Sequence, residues 1–146
     1  MIDIEMLNKH ITLASVYAPS SGDHPEFFFY FLYTLMREVV NMGNELIIIG
    51  GDWNVAMNPK TDTNHPSNVY QARSRKKILD FMDSYDLVDV YRTLHCNTRN
   101  YSWRRFHGTQ RSRLDFFLVI FEQLGLDTAS ADITTGYCSD HSLVDI

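Results

Sequence analysis

Ile47-Ile48-Ile49-Gly50-Gly51-Asp52-Trp53-Asn54 is the stretch on which the reading of this chain turns. Leu46 to Ile49 is its most concentrated apolar run, and the length suits a buried strand. The strand is expected to stop abruptly at Gly50-Gly51, because glycines let a backbone turn sharply and leave room for a ligand. An acid and an amide follow, two residues apart. If the segment stays extended, side chains two apart share a face, so Asp52 and Asn54 would point at one site. An Asx-rich turn after a strand accounts for the same residues without any chemistry.

Working outward, Ile2 to Leu7 and Ile11 to Tyr17 read as a hairpin joined at Asn8-Lys9. Ala18 to Gly22 is a loop. Pro25 suits the first turn of a helix, with Asp23 or His24 as cap. That helix runs through Phe27 to Tyr33 and ends near Asn41 to Asn44. Downstream, a polar loop spans Asn58 to Asn68. Gln71 to Tyr85 is an amphipathic helix with Ile78, Leu79, Phe81 and Met82 on or near one face. Leu87 to Tyr91 is expected to form a short helical turn. Asn100 to Arg104 and Arg113 to Val119 read as strands joined by a basic loop, with two more strands over Thr128 to Thr134 and Ser142 to Ile146. Strands and helices alternate without a strict βαβ rhythm, which predicts one mixed α/β layered domain over residues 1–146.

Composition bounds the reading. With 45% hydrophobic and 21% charged residues in a chain of 146, the sequence is neither disordered nor too short to bury a core. No apolar run is long enough to cross a bilayer, and no charged-then-apolar signal peptide stands at the start. Cys96 and Cys138 form no CxxC pair, which argues against structural zinc. Two lone cysteines read most simply as reduced thiols of an intracellular protein, although their spacing also allows a disulfide. The net charge of −5 argues mildly against a nucleic-acid partner, but the bases are clustered. Arg73, Arg75, Lys76 and Lys77 read as a solvated face. Arg104, Arg105, Arg111 and Arg113, with His107 among them, stay open between a solvated face and an anion-binding one.

Three further patterns carry candidate chemistry. Ser139-Asp140-His141-Ser142 sets an acid beside a histidine, which suits a metal site or an acid/base pair, and suits an exposed Asp-His equally. In Arg113-Leu114-Asp115-Phe116-Phe117, Asp115 is a charge in an apolar strand. A buried acid needs a partner, and a histidine elsewhere would serve. Period-2 alternation also puts Arg113 and Asp115 together, as a solvent-facing edge would. Tyr17, in Val16-Tyr17-Ala18-Pro19-Ser20, can donate a hydrogen bond to an anion or be a core or rim tyrosine.

Each pattern is common; their order is not. Tyr-Ala-Pro at 17–19, Gly-Asp-Trp-Asn at 51–54, Tyr-Ser-Trp at 101–103, Arg-Leu-Asp at 113–115 and Ser-Asp-His-Ser at 139–142 resemble the ordered motifs of the endonuclease/exonuclease/phosphatase superfamily. The resemblance is greatest to the endonucleases of non-LTR retrotransposons, through Gly50-Gly51-Asp52-Trp53-Asn54, Leu87-Val88-Asp89-Val90-Tyr91 and Asn100-Tyr101-Ser102-Trp103. It covers nearly the whole chain.

The resemblance implies an α/β fold of the deoxyribonuclease I type: a four-layered, two-sheet β-sandwich flanked by helices, with the active site at one end. It implies phosphodiester or phosphomonoester cleavage with Mg2+ or Mn2+, and DNA as partner. Residue by residue, Asp52 would handle a proton at the nucleophilic water or leaving group. Asn54 would bond the phosphate and hold Asp52. Tyr17 would contact the phosphate. His141, oriented by Asp115, would stabilise the pentavalent phosphorus or act as general base. Asp140 would lie at the metal, and Ser102 and Ser139 would support the phosphate. Arg104, Arg105 and Arg111, on the loop from Arg104 to Arg113, would bind DNA phosphates and set register rather than read bases. The family's opening strands, carrying an asparagine and a metal-binding glutamate, would precede Met1, so the chain reads as the C-terminal part of such a domain, truncated at its N-terminus. In retrotransposon relatives a reverse transcriptase follows. Two other readings stand beside the nuclease: a phosphatase or lipid phosphodiesterase of the same superfamily, and a catalytically dead module that binds nucleic acid or protein.

Overall fold

The apolar run at Leu46 forms the central strand of a five-stranded sheet. The computed structural model describes all residues except 7–8, 21–24, 44–45, 67–68, 124–129 and 136–138. Strands β1 (Ile2–Met6) and β2 (Lys9–Tyr17) make the expected antiparallel hairpin, with Met6 opposite Lys9. Helix α1 (Pro25–Met42) starts at the expected proline, and its proposed caps, Asp23 and His24, lie outside the described residues. It crosses over to β3 (Leu46–Asp52), which pairs parallel with β2. Next come α2 (Val69–Ser84), β4 (Leu87–Asp89), α3 (Val90–Leu94), β5 (Trp103–Arg104), β6 (Arg111–Ser112) and β7 (Asp115–Ile120). A single 3-10 turn at Phe121–Gln123, then β8 (Asp132–Thr134) and β9 (Leu143–Asp145), complete the order. The main sheet runs β1-β2-β3-β7-β4, and β5-β6 and β8-β9 are two-stranded sheets.

Alternation along β3 and β7 buries both faces of this sheet, as period 2 requires. Ile47, Ile49, Phe116 and Leu118 pack with Phe29, Leu32, Met36 and Val39 of α1 and Ile78 and Phe81 of α2. The α1 residues recur at the spacing of one helical face. Ile48, Phe117 and Val119 point the other way and pack with Val90, Tyr91, Ala131, Ile133 and Val144, so β8-β9 supplies the second β layer. Full burial of a side chain such as Leu118 stabilises the fold by about 1.5–3 kcal/mol. Among the described residues the order across the fold is helices, sheet, hairpin, the layered β packing expected from the sequence.

Four local expectations are corrected. First, β3 does not stop at Gly50-Gly51; it continues through Asp52. The glycines serve close packing instead. A Cβ on Gly50 would lie 2.2 Å from the Phe117 ring, and one on Gly51, at φ +145°, would lie 2.0 Å from the Val16 carbonyl oxygen. Second, Leu87 to Asp89 is a strand on β7, not a helical turn; sheet pairing overrides local preference. The helix begins only after Asp89, whose carboxylate caps it by accepting from the Arg92 amide at 3.1 Å. Third, Arg113 precedes β7 rather than opening it, because its side chain turns into the core. Fourth, Arg75 leaves the solvated basic face: its Nε donates to the Ala56 carbonyl at 2.9 Å.

Candidate active site

Sheet register assembles the site. Tyr17 on β2 is the partner of Asp52 on β3, and Asp52 is the partner of Asp115 on β7. Directly opposed residues project from the same side. Tyr17, Asp52 and Asp115 therefore form one row across three strands, on the face that carries β8-β9. His141 reaches this row from the last segment, held by a bridge to Trp103. Its Nδ1 lies 2.9 Å from Asp115 Oδ2, and its Nε2 lies 4.0 Å from Asp52 Oδ2. Asp115 thus has the histidine partner that its place in an apolar strand called for.

Asp52 is mostly buried, with a side-chain exposure of 11%. Burial raises its pKa above the ordinary carboxylate value. The Asn54 amide, donating to Oδ1 at 2.9 Å, works against that rise. The neighbouring Asp115 raises it further, His141 lowers it, and Asp140 raises it. The 4.0 Å gap between Nε2 and Oδ2 is too long for a direct hydrogen bond. One oxygen about 2.8 Å from both atoms fits as a bridge between them.

The supporting residues divide by what their polar atoms already hold. Asn54 does not continue the strand: its φ is +53°, a left-handed conformation that asparagine tolerates. Its side-chain amide donates to the Ala18 carbonyl at 2.6 Å, so Asn54 fixes Asp52 through its backbone and ties β3 to the loop after Tyr17. The expectation of two side chains sharing an extended face is corrected accordingly. Trp53 is fully buried, stacks on Phe116 with centroids 5.2 Å apart, and donates Nε1 to the Phe116 carbonyl at 3.1 Å. Ser102 is also fully buried. Its Oγ accepts from the amides of Leu114 and Asp115, both at 3.0 Å, while its carbonyl accepts from Ser142 at 2.6 Å. It therefore couples the segments carrying Asp115 and His141. Ser139 Oγ accepts from the His141 amide at 3.1 Å.

Tyr17 is 75% exposed at the rim. Asp140 is exposed and accepts from Trp103 Nε1 at 3.3 Å. Arg104 reaches Ser142 Oγ at 3.4 Å, Arg105 bonds Gln110 at 3.0 Å, and Arg111 is exposed on β6. Arg113 is the exception in this basic cluster. It is fully buried, bonding Asp62 (Nε to Oδ1 2.9 Å) and Asp89 (Nη2 to Oδ2 2.5 Å). The solvent-facing pairing of Arg113 with Asp115 is thereby excluded. Asp62 also takes Arg92. Nothing in the sequence marks Asp62 apart from its polar loop, so this network escapes sequence reasoning.

Among the described residues, Asp52, Asp115 and His141 are the group whose ligand atoms all lie within 4.8 Å of one another, a spacing that can hold a metal ion. Two carboxylates and an imidazole suit a divalent cation. Asp140 stands outside this group. Cys96 is a free thiol, and Cys138 lies outside the described residues. No helix among the described residues is long and apolar enough to cross a membrane.

No family model matches the chain. Solved structures do. The 3′ phosphatase NExo from Neisseria, bound to a product DNA hairpin, superposes with a TM-score of 0.78 at 17% identity, over 97% of this chain and 62% of that one. An AP endonuclease from Archaeoglobus fulgidus gives 0.70 at 20% identity, with the same coverage. The APE2 catalytic domain of Xenopus laevis gives 0.74 at 24% identity, over 93% of this chain and 48% of that one. The chain thus spans about half to three-fifths of the length of these proteins. Sheet order, layer packing and these superpositions agree: the chain has the deoxyribonuclease I-like fold that these solved structures share.

Proposed function

We propose that this chain carries the catalytic row of a metal-dependent phosphodiesterase that nicks DNA, of the kind found in non-LTR retrotransposons. In that setting a reverse transcriptase is its partner in the parent polyprotein, and the site of action is intracellular. The supporting observation is the convergence of Asp52, Asp115 and His141 from three distant segments. The similar structures are DNA-processing enzymes by name, which favours DNA over lipid.

In this reading Asp115 accepts the Nδ1 proton of His141 and fixes the tautomer, leaving the Nε2 lone pair directed toward Asp52. Nε2 takes a proton from water as the water oxygen bonds phosphorus. The bond from phosphorus to the leaving oxygen breaks, and that oxygen takes a proton from Asp52. The raised pKa of Asp52 is the direction a proton-donating carboxyl requires. A bridging water across the 4.0 Å gap then returns the proton from Nε2 to Asp52. Asp140, at the rim, would hold Mg2+ or Mn2+, whose charge offsets that of the phosphoryl oxygens. Tyr17, Arg104, Arg105 and Arg111 hold the substrate at the rim, while Asn54, Ser102 and Ser139 hold the catalytic residues in place.

A phosphomonoester at a DNA end is the second reading, favoured by the 3′ phosphatase among the similar structures. A panel of supercoiled plasmid, 3′-phosphorylated duplex, RNA, sphingomyelin and inositol phosphates tests both. Magnesium-dependent nicking of plasmid is expected. Turnover confined to the 3′-phosphate supports the second reading, turnover confined to lipid or inositol overturns both, and DNA binding without turnover leaves a binding module.

A further inference from the structure

An open groove of about 570 Å3 lies away from Asp52. Lys60, Thr63, Asn64, His65 and Arg99, with two prolines, line it, and no carboxylate does. Neither the Lys60 ammonium nor the Arg99 guanidinium has a hydrogen-bond or ion-pair partner among the described residues. The His65 ring lies against Thr63, with Nδ1 3.0 Å from Oγ1.

The walls of this cleft are built rather than incidental. Asp62, fully buried, accepts from the Asn58 amide at 2.8 Å and so fixes the loop that carries Lys60 and His65. It also binds Arg92, whose Nη1 donates to the carbonyls of His95 at 2.7 Å and Thr98 at 2.9 Å, fixing the turn that carries Arg99. One buried network therefore sets both walls. The cations are presented on fixed backbone, which lowers the ordering cost of binding.

A continuous ladder joins the cleft to the catalytic row. Thr63 bridges Ser112, Ser112 pairs with Trp103, and Trp103 bridges His141. Adjacent strands lie about 4.8 Å apart, so three steps place Thr63 roughly 14 Å from His141. Duplex DNA rises about 3.4 Å per nucleotide of one strand, so this span matches roughly four nucleotides. Arg111 and Arg104, partners one residue along the same ladder, lie between the two sites.

We propose that the Lys60–His65–Arg99 cleft is a phosphate-binding subsite that takes a DNA backbone phosphate about four nucleotides from the scissile bond. The choice of DNA, and the meaning of that distance, rest on the nuclease reading above. Ammonium and guanidinium groups contact phosphate without reading sequence, so the subsite sets register rather than base preference.

The test is duplex binding in chelator, where no cleavage occurs, across a salt series. Lys60→Ala/Arg99→Ala is compared with wild type and with Lys9→Ala/Arg37→Ala, which removes the same charge from the β1-β2 hairpin and α1. Urea midpoints check that each protein is folded. Each phosphate contact contributes about 0.9 to the slope of log affinity against log salt. The cleft variant should lose about 1 to 2 in slope and the control none. An unchanged slope, an equal loss in the control, or no duplex binding by wild type overturns the subsite. Because binding is read without catalysis, a protein that never nicks yet shows the slope change keeps the subsite while the nuclease reading fails.

Discussion

Asp62 and Asp89 meet Arg92 and Arg113 in a sealed network, whereas Asp52 and Asp115, among the described residues, have His141 as their one basic side-chain partner at an open rim. In the first cluster two carboxylates face two guanidiniums, and Asp62 and Arg113 have no side-chain exposure. Burial alone would raise the Asp62 pKa, but Arg113, the Asn58 amide and Arg92 hold it below the ordinary value. In the second cluster two carboxylates share one imidazole, and the Asp52 pKa is raised. Balanced, fully bonded charge fixes structure, here the base of β7, the cap of α3 and the loop after β3. Unbalanced charge at a rim has a bonding place left for a cation, a water or a phosphate.

Removing Arg113 should break this contrast most severely. Arg113→Ala leaves two buried carboxylates without their main partner, and a loss of about 3–5 kcal/mol is expected. Urea unfolding measures it. A loss typical of a surface substitution, under about 0.5 kcal/mol, would mean that the network does not hold the fold.

Ser102 links the two clusters, because it bonds the amides on either side of the step from Leu114 to Asp115. Ser102→Ala strips two buried amides of their acceptor and should cost about 1–3 kcal/mol. It should also lower the nicking rate through displacement of Asp115. Ser102→Thr, which keeps the oxygen, should recover activity more fully than stability. Equal activity in all three proteins would remove Ser102 from the positioning of the site.

The smallest effect, and the sharpest contrast, is in pH. The stability that Asp62 contributes is complete above the ordinary carboxylate value of 3.8 and is lost as pH falls through its lower folded value. Asp52 has the opposite sign: the folded state holds its proton more tightly, so stability declines as pH rises from 3.8 through the raised value. Urea midpoints across the acid range should show that decline in wild type and its absence in Asp52→Asn. The same decline in both proteins would mean that Asp52 is not the group responsible.

The difference between the clusters also explains what could be read from sequence. Asp52, Asp115 and His141 each stand where an apolar run meets polar residues, and their order along the chain carries the site. The five-residue hairpin strand β1, the start of α1 and the core of β3 follow from periodicity and turn residues. Asp62 and Arg113 show no such break: one sits in a polar loop and the other among arginines, and only tertiary pairing sets them apart. The continuation of β3 through Gly50 and Gly51 depends on Phe117 and Val16, which lie on other strands. The Asn54 conformation is hidden in the sequence for a related reason: its left-handed backbone goes with bonds to Asp52 and Ala18. Lys60 and Arg99 are far apart in the chain and line one groove where the Asp62–Arg92 pair ties their loops together.

The measurement that bears most directly on the open cluster is the magnesium-dependent nicking rate of supercoiled plasmid by wild type, Asp52→Asn and His141→Ala, each with its urea midpoint. General acid–base groups contribute about 10²–10⁴-fold each, so both variants should lose that much rate while remaining folded. Nicking that persists in either variant within a few-fold of wild type would contradict the assignment of Asp52 and His141 as the catalytic pair.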